Sequence, residues 1–457
     1  MTGSDTVRRS WRSRLGLDTP GFNITKRVLF LGILTFLLLI PLGMIDDLIY
    51  EREARKQEVA AEITAQWGGA QTVAGPILSV PYRYFDAVKA NSQNGLATGQ
   101  LYFLPSALEI DAKLATEKRA KSIYEVLVYG GEVHLKGRFP VLETARWNIS
   151  PENIDWKDAK LLVGLTDMAA IRDLAISVGG AKYPAEAALP GSDGPGARAF
   201  ANLPLSAATA MQPRDFAIDL TFKGSGSIAF VPLGDTTRIA LAADWPHPGF
   251  VGVTLPESHT ITSRDFKADW LLGYLSRGIP KSWHSGEISF DALWTQSVGV
   301  ELVEHGNVHQ QTDRIVKYGL LVIGLTFATI FVNGLMSSRR VHPVQYLLVG
   351  AAICLFYLLL LSLAEQISFG RSYLIASSAD IGIVGWYAWR TMSRRLGYLT
   401  AFILGLVHAY MYVLLQMEDY TLLSGTLALF AALLVAMIAT RNVDWYRLGR
   451  APTAQQS

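Results

Sequence analysis

Six apolar runs constrain what this chain can fold into more than any other feature. Residues 28–45, 318–338 and 420–440 carry no charge, and 341–364 carries only His342, near its start. Residues 372–389 are apolar except for Asp380, and 396–417 hold a single histidine, His408. Each run is about 18–24 residues long, and about 20 helical residues cross the hydrocarbon core of a bilayer. Backbone groups in lipid must bond to one another, so each run is expected as a transmembrane helix. Six such runs are too many for the buried helices of a water-soluble core. Hydrophobic residues make up 50% of the 457 positions and the mean hydropathy is +0.24, in keeping with a membrane class.

The first run follows a basic prelude, Arg8, Arg9, Arg12, Arg14, Lys26 and Arg27. It is longer than the apolar core of a cleaved signal peptide, usually about 7–15 residues, and no small-x-small cleavage site follows it. Instead "DDLIYEREARKQEVAAEITAQWGG" continues as a strong helix former, with Val59, Ile63 and Trp67 recurring every fourth position. The reading is an uncleaved anchor whose helix runs on past the membrane until Gly68 and Gly69 end it.

Lys and Arg placement sets the orientation, because short cytoplasmic loops collect them. The N-terminal tail is basic; so are the loop at Arg339 and Arg340, the loop at Arg390, Arg394 and Arg395, and the tail with Arg441, Arg447 and Arg450. The intervening turns, near Glu365 and near Glu418 and Asp419, are expected on the other side. Both termini are then cytoplasmic: residues 1–27 form a basic tail, 28–45 the anchor, 46–317 an exported domain, 318–440 a five-helix bundle and 441–457 a second tail. The expectation is an α+β membrane protein of one plus five spans, with a large β-rich periplasmic domain inserted between the first and second.

Alternation carries the β reading. In "FAIDLTFK", Phe216, Ile218, Leu220 and Phe222 share one face of a strand while Ala217, Asp219, Thr221 and Lys223 share the other. "VHLKGRF" (133–139) alternates likewise, and "GPILSVPYRYF", "IYEVLVY" and "FKADW" supply further strands. "GSGS" (224–227) reads as the turn of a hairpin, with "IAFVPL" returning. The Pro/Gly/Ala-rich stretch from Tyr183 reads as an exposed loop. Many short strands separated by turn signals suggest an antiparallel sandwich.

Chemistry-bearing residues are sparse. The net charge of +2 gives no reason to expect a nucleic-acid partner. One cysteine, Cys354, excludes an intrachain disulfide and a Cys-rich metal cluster. "KGSGS" lacks the context and lysine of a phosphate loop. "EHGNVH" places His305 and His309 one helical turn apart beside Glu301 and Glu304, a spacing a metal could use, but it also suits a solvated juxtamembrane face. No Gly-x-Ser-x-Gly elbow fixes a serine nucleophile, so no catalytic, cofactor or metal residue is assigned. "DWPHP", Asp244, Trp245, Pro246, His247 and Pro248, resembles an active-site cluster. Yet two prolines two residues apart fix φ and remove donors, so it is expected as a structural turn, with Trp245 plugging a sheet edge and His247 bonded to Asp244.

Asp380 and His408 are the sharper pair. An ionised carboxylate at midplane costs about 2.5–3.5 kcal/mol on insertion scales, so Asp380 is expected to be neutral or partnered. His408 on the next span is the natural partner, as a structural interhelical bond or as part of a proton or ion path.

Several segments carry a family resemblance. "RVHPVQYLLVGAAICLFYLLLLSLAEQISF" (340–369), "EDYTLLSGTLALF" and "TRNVDWY", with "GPILSVPY", "DWPHPGFVG" and "RGIP" (277–280) in the exported region, resemble the CreD family. These are bacterial inner-membrane proteins described as cell-envelope integrity proteins, and the resemblance runs from the first span to Tyr446. It implies one anchor, a large periplasmic domain and a helical bundle, with a role in envelope maintenance and stress tolerance. It implies no catalytic reaction and attaches no signature role to Asp380 or His408. Three functions are therefore weighed. The first is a non-enzymatic envelope protein, bathed in the lipid bilayer, whose β domain binds an envelope protein or cell-wall component. The second is a transporter or proton-conducting bundle using Asp380, His408 and Asn333. The third is a metal-dependent periplasmic enzyme using His305, His309 and a carboxylate.

Overall fold

The computed structural model describes residues 20–85, 96–122, 124–188, 198–303, 318–336, 342–391, 393–416 and scattered positions between 425 and 441. It is an α+β molecule that divides into two compact units: Met1–Arg55 with Gly306–Ser457, and Lys56–His305.

One helix, α1, runs unbroken over Pro20–Trp67 and keeps Pro41 inside it. Four more long helices are α2 (Gly319–Met336), α3 (Pro343–Ala364), α4 (Phe369–Thr391) and α5 (Arg394–Gln416). The helical unit is apolar inside and out. Leu34, Leu38, Leu42 and Ile45 of α1 are buried together with Val322, Phe327, Val349 and Ile353, while Ile33, Phe36 and Met44 are 59%, 73% and 67% exposed. A helix apolar on its outer face as well as its inner one is solvated by lipid, not water. Among the described residues three helices are long and apolar enough to cross a membrane: Val28–Trp67, Pro343–Ala364 and Arg394–Leu415. Gly319–Val332 is a shorter apolar helix. α4 is 23 residues long and falls outside that set; Arg371, Asp380, Arg390 and several serines dilute its apolar character. The sixth run, 420–440, lies largely outside the described residues.

The other unit is built on two sheets. The nine-stranded sheet runs in the order Pro248–Gly252, Val298–Leu302, Ser227–Val231, Gln71–Phe85, Lys160–Leu165, Arg198–Asn202, Glu186–Ala187, and Leu96–Phe103 joins the far half of Gln71–Phe85, with Ser282–His284 beyond it. The eight-stranded sheet runs Ser258–Ile261, Phe266–Gly273, Thr236–Ala243, Ala107–Lys121, Tyr124–Phe139, Arg214–Ser225, Ile171–Val178, Ala181–Tyr183. Inward residues of both, among them Ile77, Leu161 and Phe230 on one side and Leu135, Ile218 and Trp270 on the other, fill a single hydrophobic core.

Alternation translates into burial as expected of a half-buried strand. Phe216, Ile218, Leu220 and Phe222 are buried, and the opposite face carries cross-strand pairs, His134 to Asp219 at 2.6 Å and Arg138 to Asp215 at 2.6 Å. The Arg138 guanidinium, through its hydrogen bond, holds the Asp215 carboxyl below its ordinary value.

Two expectations are corrected. The sheets are mixed, not purely antiparallel: Gln71–Phe85 pairs in parallel with Ser227–Val231, and Thr236–Ala243 in parallel with Ala107–Lys121. The "GSGS" stretch is not a hairpin turn. Arg214–Ser225 belongs to the eight-stranded sheet and Ser227–Val231 to the nine-stranded one, so the chain changes sheets at Gly226, whose φ of +72° suits glycine.

The last turn of α1 is fixed into the β unit. Gly68 takes φ +136°, and a Cβ there would sit 2.8 Å from the Lys223 carbonyl oxygen, so both backbone and packing require glycine. Ser225 Oγ donates to the Gly68 oxygen at 2.9 Å. The indole of Trp67 donates to the Tyr129 oxygen at 3.2 Å. Arg119 and Lys223 lie 4.0 and 4.1 Å from the centre of its ring, within cation–π range.

Candidate functional site

The polar centre of the helical unit is the Asp380–His408 pair. Asp380 sits midway along α4 and His408 midway along α5, consecutive helices packed together, so two distant sequence positions meet. His408 Nε2 lies 2.9 Å from Asp380 Oδ2, and the side chains are 3% and 1% exposed. The Phe356 ring of α3 packs on the imidazole at 4.6 Å between centroids.

Tyr373 lies two turns before Asp380 on α4. Its hydroxyl donates to the His408 carbonyl oxygen at 2.7 Å and lies 3.4 Å from His408 Nδ1. The Asp380–His408 contact thus ties α4 to α5 by a hydrogen bond inside the apolar interior. Asp380 Oδ1 accepts no hydrogen bond from the described residues. Asp380 is among the residues that line a groove of about 380 Å³ between α3 and α4.

The other sequence candidates fall elsewhere. "DWPHP" joins the two sheets of the β unit: Thr236–Ala243 ends in one, and Pro248 opens a strand of the other, opposite Leu302. Trp245 is half-buried against the core, and its indole donates to the Val303 oxygen at 3.1 Å. The Val303 amide in turn donates to the His247 oxygen at 3.2 Å. The Asp244 carboxylate accepts from the Thr116 amide at 2.6 Å, pinning the corner to the neighbouring strand. His247 meets the Trp245 ring edge-on. His305 and His309, the metal candidates, lie outside the described residues, as does the side chain of Asn333.

A site that sequence reading missed is Arg277, in the "RGIP" segment. It is 1% exposed. Its Nε donates to the Ile279 oxygen at 3.0 Å and Nη1 to the Leu233 oxygen. Nη2 lies 3.3 Å from Asp235, which Lys281 also holds at 2.8 Å. Burial pulls the guanidinium below its ordinary value, and Asp235 opposes that pull. A lone Arg in a Gly/Pro loop gives no sequence sign of burial.

Lipid-type helices, a buried polar pair within them and a large two-sheet β unit define a multi-helix membrane protein carrying a β domain. The comparisons with known proteins make this specific. Residues 23–446 match the family described as Inner membrane protein CreD. The chain is 30% identical over 417 residues to Inner membrane protein CreD of Escherichia coli (strain K12), covering 90% of this chain and 91% of that one. The chain belongs to the CreD family and is an inner-membrane protein.

Proposed function

We propose that this protein supports envelope integrity and stress tolerance without catalysing a reaction, its β domain binding an envelope protein or cell-wall component from the periplasm. In this reading the chain crosses the membrane six times, both termini are cytoplasmic, and residues 46–317 are periplasmic. The observation that carries it is α1: one continuous helix has a lipid-type apolar surface near Phe36 and ends at Trp67 locked into the β domain. The alternation of Arg-rich and Arg-poor connections supports the orientation. The resemblance to envelope integrity proteins supports the role.

A second reading, conduction or transport through the bundle, is favoured by one observation, the buried Asp380–His408 pair 2.9 Å apart. Complementation of a deletion strain separates the two. Loss of the chain is expected to lower survival under envelope stress. Full-length protein restores it, a chain lacking 56–305 does not, and a folded Asp380→Asn chain does. Failure of Asp380→Asn with normal accumulation would pass the role to the bundle.

A further inference from the structure

Half-buried Ala352 and Ala379 form the floor of the groove between α3 and α4, and exposed Leu348, Leu359, Ile383 and Trp386 form its rims. Asp380 is the one charged residue among those lining it, and its side chain is 1% exposed against His408, so the surface on offer is apolar. From Leu348 to Leu359 the groove is about 16 Å long at about 1.5 Å per helical residue, close to one leaflet of a hydrocarbon core of about 30 Å. An apolar groove alone would say nothing about an occupant; here its end carries charge. Ile383, Trp386, Tyr387 and Arg390 share one stripe of α4 at helical spacing, so Arg390 lies one turn beyond the Trp386 end of the groove. Arg394 and Arg395 open α5 just across the turn. All three arginines are exposed, and none forms an ion pair among the described residues. Neither α3 nor the chain from 381 to 416 contains an acidic residue. Exposed Trp389 and Tyr398 stack beside them, and the Arg394 guanidinium lies 5.6 Å from the Trp389 ring centre. Such aromatic rings sit at the headgroup level of a bilayer.

We propose that this groove holds one acyl chain of an anionic phospholipid whose headgroup phosphate is met by Arg390, Arg394 and Arg395. Charge complementarity selects the occupant. Guanidiniums without a carboxylate partner stand at one mouth of a leaflet-long apolar groove, which matches a headgroup of net negative charge on a hydrocarbon chain. The same cluster repels the ammonium of a zwitterionic headgroup. The inference concerns the helical unit alone, holds whichever leaflet receives the Arg390 end, and is independent of the envelope role.

The test uses the full-length protein in phosphatidylcholine nanodiscs and two probes with the same photoreactive diazirine acyl chain, a phosphatidylglycerol and a phosphatidylcholine. The phosphatidylglycerol is expected to crosslink to α3 and α4 at groove residues with an apparent affinity at least about fivefold higher, the effect of one basic residue on an anionic lipid. Arg390→Gln, which leaves Arg394 and Arg395 in place, should lower that affinity about fivefold, and Arg390→Lys should keep most of it. Ala379→Leu, which fills the floor of the groove, should abolish labelling there. Excess glycerol phosphate should not displace the probe, because the headgroup alone lacks the chain. Equal labelling by the two probes would overturn the proposal. So would labelling that is indifferent to Arg390→Gln or survives Ala379→Leu, and so would displacement by glycerol phosphate, which would make this a site for a soluble phosphate. The comparison of the two probes needs no variant, so it decides even where a variant fails to fold.

Discussion

Replacing Arg277 by alanine is expected to destabilise the β domain by about 3–5 kcal/mol, the cost of breaking a buried charged network from one side. The guanidinium is 1% exposed and serves two backbone carbonyls, those of Leu233 and Ile279. Both acceptors would be left buried beside a void the size of the lost side chain. Asp235 contributes less, because Lys281 also holds it and its side chain is 23% exposed. Asp235→Asn keeps both carbonyl bonds and an oxygen acceptor, and should therefore cost less, about 1.5–3 kcal/mol, the scale of a hydrogen bond to a charged group. Chemical unfolding of the full-length protein, followed through the β signal in circular dichroism, reads both. Arg277→Ala costing no more than Asp235→Asn would refute the anchoring role.

The second large effect is expected at His408. His408→Ala strands the Asp380 carboxyl in an apolar interior and should lower the stability of the helical unit by about 3–5 kcal/mol. Removing both partners should recover part of that loss, since no titratable group then remains unpaired. The double-mutant cycle isolates the coupling. Interhelical hydrogen bonds in membranes average about 0.6 kcal/mol and reach about 1.7, so a coupling above about 2 kcal/mol marks a pair that shares charge or a proton. Additive losses would show that the 2.9 Å contact between Nε2 and Oδ2 does no more than fill space.

What could be read from the sequence, and what could not, follows from the range of each interaction. Alternation over residues 216–223 is local, and it locates the buried face from Phe216 to Phe222 without knowledge of the partner strands. Strand pairing is not local. The glycines and serines near Gly226 have a hairpin composition, yet the chain there passes from one sheet to the other, because a left-handed glycine serves either path. The two prolines of "DWPHP" show that the chain must leave a sheet, but only the register of Pro248 against Leu302 shows which sheet receives it. Asp380 and His408 are conspicuous because each interrupts an apolar run, and consecutive helices give them a route to meet. The groove beside the pair is walled in part by small residues, Ala352 and Ala379, whose sequence spacing carries no such sign. Arg277 was illegible for the opposite reason: its partners are backbone carbonyls, which every sequence contains.

Central to the proposed function is that residues 46–317 lie across the membrane from both termini, with four further connections alternating behind them. A reporter that matures only outside the cytoplasm, fused at Gly191 in one chain and at Arg394 in another, measures this directly. Activity at Gly191 with silence at Arg394 is the predicted result. Silence at Gly191, or activity at Arg394 in a chain that accumulates normally, would contradict it.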